Sequence, residues 1–148
     1  MRRIVIIAGT LLLGTGLVWA QQDQVAKTQA AMKSNLKSAL TLSGMVKGEK
    51  PYDQAAVDGA FAELEDVAKR FTALFPESIK GLKPDGQYYA SDKVWTDRAG
   101  FEAHVASFTK AVSEAKPKIK DLDSLKATFP YVNKECVGCH ETYRVKNG

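Results

Sequence analysis

Cysteine, histidine and methionine are scarce in this chain: two, two and three among 148 residues. Both cysteines and one histidine fall in a single pentapeptide, Cys136-Val137-Gly138-Cys139-His140, and the other histidine is His104. A structural zinc site wants four nitrogen or sulfur ligands, which so small a supply does not furnish. A disulfide bridging two intervening residues would close too short a loop to stabilise much. Sustained period-2 alternation is missing throughout, so essentially no sheet is expected. No uninterrupted apolar run reaches the roughly 20 residues of a membrane-spanning helix.

What is present is concentrated at the two ends. Arg2 and Arg3 precede an apolar run from Ile4 to Leu13, broken by Gly14, Thr15 and Gly16, and Val18-Trp19-Ala20 offers a small-residue cleavage site before Gln21. This predicts a secretory signal over residues 1–20 and a single domain over 21–148. Export of the unfolded chain to a bacterial periplasm follows, with no stable membrane insertion after cleavage. Removing Arg2 and Arg3 leaves 19 basic against 17 acidic residues. That near balance gives no reason to expect nucleic acid as a partner. Lys116, Lys118 and Lys120 form one local basic stretch.

At the other end, Cys-X-X-Cys-His reads as the covalent attachment site of one haem c. Two thiols on one helical turn, Cys136 and Cys139, can add to two vinyl groups, and His140 then lies against the iron. A dithiol redox pair would sit at a helix start after a strand, whereas everything before Cys136 reads as helix.

Four amphipathic segments are separated by glycine- and proline-rich breaks. The first runs from about Asp23 to Met45, with Val25, Met32, Leu36, Ala39 and Leu40 on the face expected to turn inward. Asp53 is a candidate N-cap for the second, from about Gln54 to Phe75. Residues 76–93 read as a crossover loop, and a third helix follows from about Asp92 or Val94 to Ala115. In the last segment Leu122, Leu125, Phe129, Val132, Cys136, Cys139 and Tyr143 step by 3 and 4 in strict alternation. This heptad seam puts both cysteines on the core-facing stripe, and Pro130 is expected to bend or divide the helix. The predicted fold is all-α, an antiparallel four-helix bundle with covalently bound haem c in its interior.

These features together resemble the class II cytochromes c, which include cytochrome c′ and the low-spin cytochrome c-556 type. The resemblance covers residues 21–148. It rests on Lys47-Gly48-Glu49-Lys50-Pro51-Tyr52-Asp53, on Val94-Trp95-Thr96-Asp97, and above all on the Cys-X-X-Cys-His-X-X-Tyr-Arg pattern from Cys136 to Arg144. It implies that His140 is the proximal axial ligand, that Arg144 lies near the proximal haem face, and that Met32 occupies the distal position. The opening from Gln21 to Met32 is similar to the low-spin type, in which this methionine is the sixth ligand. Where cytochromes c′ often carry arginine four residues earlier, this chain has Thr28, with Lys27 beside it.

The expected function is therefore that of an electron-carrying cytochrome rather than an enzyme. It would dock transiently with redox partner proteins and exist as a monomer or homodimer. The alternative is a five-coordinate, cytochrome c′-like protein binding nitric oxide or carbon monoxide. Met45 is expected to be a packing residue, His104 a partly exposed side chain rather than a ligand, and Trp95 and Tyr143 haem-packing or core aromatics.

Overall fold

A computed structural model describes residues 14–147. Four long helices carry it: α1 (Gly14–Val46), α2 (Gln54–Arg70), α4 (Arg98–Ala115) and α5 (Leu122–Tyr143), with a single-turn α3 (Lys93–Thr96) before α4. The helix α1 packs on α2 and α5, and α4 also packs on α2 and α5, closing a four-sided bundle. The apolar run of the predicted export signal, residues 4–13, lies outside the described residues, while residues 14–20 are the first turns of α1. Among the described residues no helix is long and apolar enough to cross a membrane.

Local chemistry fixes the helix ends. Gly48, with φ of +76°, turns the chain after α1 in a conformation that a side chain would strain. Asp53 caps α2 by accepting the Ala56 N–H, as its position predicts. Beyond Arg70 the helix tightens into a 3₁₀ turn over Phe71–Leu74, so the second segment ends earlier than expected. The third segment is two helices rather than one: the backbone breaks at Asp97, whose side chain caps α4 through the Gly100 N–H. Asp121 and Ser124 form a reciprocal capping box at the start of α5.

Pro130 does not divide α5, which runs unbroken through it. Its ring lies on the exposed side of the helix, where the missing amide costs least.

Two further expectations need correction. Strands β1 (Tyr88–Ala90) and β2 (Arg144–Lys146) pair antiparallel, with Tyr89 opposite Val145, where no sheet was foreseen. Three residues are too few to show alternation, and the partner lies more than fifty residues away. On α1, Leu36 and Leu40 are 58% and 61% exposed, whereas Ala31, Ser38, Leu42 and Met45 are buried. The inward arc is thus turned away from Leu36 and Leu40, and small and polar side chains share it with Leu42 and Met45.

Candidate haem site

The C-terminal half of α5 carries the pentapeptide. Leu125, Phe129, Val132 and Tyr143 are buried along its inner stripe, while Cys136 and Cys139 sit half-buried against the same core. Both cysteines are free thiols, and the Cys136 Sγ donates to the Val132 carbonyl at 3.6 Å. Burial, reinforced by Cys139, pushes the Cys136 thiol up to about 11, and burial also raises Cys139. Redox-active dithiols depend on the opposite shift, a depressed thiolate pKa. Among the described residues no group of three or more His, Cys, Asp or Glu side chains could hold a metal ion.

His140 is half-buried beside Cys139. Burial, and then the nearby Arg144 charge, hold its imidazole below the usual histidine range. It is therefore neutral at pH 7, the form that offers a nitrogen lone pair to iron. Arg144 itself is not a helical residue: it caps α5 in extended backbone and opens β2. Its exposed guanidinium lies 4.2 Å from the Tyr88 ring centre.

Tyr143 anchors this end of the bundle. Its ring meets Phe101 and His104 edge-on at 5.4 and 5.5 Å, and its hydroxyl donates to Asp97 Oδ2 at 2.8 Å. Burial and the Asp97 carboxylate push the phenol up to about 12. A Cβ at Gly100 would crowd Asp97 Oδ2 and stand 2.6 Å from the Tyr143 hydroxyl, so any larger residue at 100 must displace this pair. The Ser91 N–H bonds the Tyr143 carbonyl at 2.9 Å, and the Asn147 N–H bonds the Gln87 carbonyl at 2.9 Å. The 76–93 loop, expected as a plain crossover, is thus fastened to the residues immediately after His140.

On the facing helix, Met32 is half-buried at the edge of the core. Thr28, one turn earlier, donates its hydroxyl to the Leu74 carbonyl at 2.6 Å, tying α1 to the turn after α2. Lys27 is exposed. Trp95 is buried and donates its indole N–H to the Pro76 carbonyl at 3.1 Å, so its polar atom is engaged within the protein. Met45 is buried in the core, as its packing role predicts. His104 is partly exposed, as expected, with one side of its ring against Tyr143. Sequence reasoning missed Asp97 and Gly100 as positioning residues; the only local signal was a cap-like aspartate three residues before a glycine.

The sequence profile of the family described as Cytochrome C' matches residues 23–144. The chain belongs to this family. The cytochrome c-556 of Rhodopseudomonas palustris is 51% identical over 149 residues, covering 100% of both chains. An NMR-validated structural model of oxidized R. palustris cytochrome c556 superposes with TM-score 0.76 at 50% identity, covering 86% of this chain and 99% of that one. The cytochrome c′ of the same organism superposes with TM-score 0.77 at 34% identity, covering 85% and 98%.

As a member of the cytochrome c′ family the chain is a mono-haem cytochrome with haem c as its cofactor. The donor set fits that group: two uncharged thiols one turn apart, a neutral imidazole beside them, and a thioether on the helix packed opposite. One observation adds to the fit. Among the described residues, the buried side-chain polar atom without a hydrogen-bond partner is Asn35 Oδ1, on the inward arc of α1 one turn from Met32.

Proposed function

We propose that this chain is an exported, periplasmic cytochrome that carries single electrons. In this reading Cys136 and Cys139 hold the haem covalently, and His140 and Met32 are the axial ligands. The observation that carries the proposal is Met32, half-buried against the core on α1, a helix that packs on the α5 that carries the pentapeptide. Similarity to a cytochrome c-556 at 51% identity supports it. The Arg2-Arg3 pair and the apolar run behind it support export.

When bound, haem c supplies one iron that exchanges a single electron. The protein's task is to present two ligands that stay in place in both oxidation states. Met32 and His140 stand on separate long helices locked by a shared core, so neither has far to move. A thioether is a soft, neutral ligand that favours the reduced metal and raises its potential. The positive charge of Arg144 close to His140 acts in the same direction, because it opposes a further positive charge nearby. The Asp97–Tyr143 hydrogen bond and the β1–β2 pair hold the end of α5, which fixes where the imidazole points. Lys118 and Lys120 are exposed and offer a partner protein a basic docking patch, whereas Lys116 is paired with Glu65.

Visible spectra of the ferric and ferrous holoprotein, with and without carbon monoxide, test the reading in wild type and Met32→Ala. A low-spin ferrous spectrum barely changed by the gas, turning high-spin and gas-avid in Met32→Ala, is the expected result. A wild-type spectrum that is already high-spin and shifts fully with carbon monoxide replaces this reading with the five-coordinate gas binder.

A further inference from the structure

Asn35 stands at the centre of the inward arc of α1. Its helical neighbours one and two turns away, Thr28, Ala31, Met32, Ser38, Ala39 and Leu42, are all buried or half-buried. An asparagine in that position carries a desolvation penalty unless it is hydrogen-bonded. Its neighbours illustrate the rule: Gln24 donates to the Leu74 carbonyl at 3.2 Å, Thr28 to the same carbonyl, and Ser34 to Glu63 at 2.6 Å. Asn35 Oδ1 is buried with no such partner.

Helical side chains lean toward the N-terminus, over the turn that precedes them. Asn35 therefore leans toward the turn that carries Met32, three residues earlier. The two ends of a carboxamide have nearly the same shape, so rotation about χ2 brings the Nδ2–H donor inward in place of Oδ1. A thioether sulfur has no hydrogen to give and accepts weakly, so the donor end is the one that can bond to it.

We propose that Asn35 is a positioning residue for the distal ligand: its Nδ2–H donates to the Met32 sulfur and fixes which lone pair is left to face the iron. The inference rests on the assignment of Met32 as an axial ligand. It accounts for a polar residue at the middle of an arc where an apolar side chain would otherwise be expected.

The test is Asn35→Leu in the holoprotein, with Asn35→Ala as the second variant should the larger side chain prevent folding and Met32→Ala as the reference. The ferric thioether-to-iron charge-transfer band, the reduction potential and the ferrous affinity for carbon monoxide are measured on each. The expected result is a band present in wild type but shifted or weakened in the Asn35 variants. A shifted potential and at least tenfold tighter carbon monoxide binding accompany it, with helicity unchanged. A band and gas affinity within twofold of wild type in the Asn35 variants, while Met32→Ala changes both, would overturn this proposal and leave the ligand assignment standing. Such a result includes the case in which the amide bonds a haem carboxylate instead, since that contact would not move a sulfur-to-iron band. Absence of the band in wild type would overturn the ligand assignment and this proposal with it.

Discussion

The half of the bundle built by α2 and α4 is rich in buried phenylalanine, whereas on α1 and α5 the inward residues mix Leu42, Met45, Leu125, Phe129 and Val132 with Ala31, Asn35, Ser38 and the two thiols. Phe61 and Phe101 are at most 1% exposed, and Phe108 is 6% exposed. Phe71 and Phe75 in the turn after α2 join Phe101 and Phe108, with ring centres 5.2 to 6.2 Å apart across the cluster. Opposite them, Met32, Cys136 and Cys139 are only half-buried although they lie on inward stripes. On the proposed reading the aromatic half contributes mainly to stability, while the other half also carries the residues that would hold the cofactor. Stability and chemistry are thus divided between two pairs of helices in one small domain.

The division is broken most severely by Phe101→Ala, which removes a ring that meets Phe71, Phe75 and Tyr143 at once. Loss of a buried phenylalanine costs about 3–5 kcal/mol. Urea unfolding should therefore show the midpoint collapsing, while the folded fraction keeps the wild-type haem spectrum. A variant of near-normal stability with an altered spectrum would show that the two halves are not separate.

Gly100 lies where the halves meet, and a milder substitution there sharpens the contrast. Gly100→Ala pushes a methyl group into the Asp97 carboxylate and the Tyr143 hydroxyl and is expected to cost about 1–3 kcal/mol as an overpacking change. Part of that cost should disappear in a Tyr143→Phe background, which removes the clashing hydroxyl. Non-additivity of this kind marks residues in direct contact. Additive costs in a double-mutant cycle followed by urea unfolding would mean that the Asp97–Tyr143 contact does not set the fit.

The same division explains which features could be read from the chain alone. The α5 seam was legible because seven residues repeat its spacing, and the haem peptide because its five residues are chemically specific. The α1 face was misread at Leu36 and Leu40 because hydrophobicity marks an inward face only where the neighbours are apolar side chains. On α1, Ala31, Asn35 and Ser38 point in instead, and nothing in their hydropathy announces it. The β1–β2 pair was invisible for a different reason. It joins Tyr88–Ala90 to Arg144–Lys146 across the length of the third and fourth long helices, so each strand has meaning only beside the other.

The smallest effect is expected at the start of α5, remote from its haem-binding end. Asp121 accepts the Ser124 N–H at 2.8 Å and its hydroxyl at 2.6 Å, and these bonds hold its carboxyl below the ordinary value of 3.8. A carboxylate with a depressed folded pKa contributes stability that is complete above its unfolded pKa and is lost as pH falls through the folded one. Stability should thus decline on acidification below about pH 4, and part of that decline belongs to Asp121. Asp121→Asn keeps a capping acceptor but cannot titrate, so its thermal unfolding midpoint should vary less between pH 5 and pH 2.5 than that of wild type. The haem spectrum should not change, because the far end of the helix is held separately by Tyr143, Asp97 and the strand pair. An acid limb identical to wild type would assign the decline to other carboxylates, and a spectral change would show that the two ends of α5 respond as one unit.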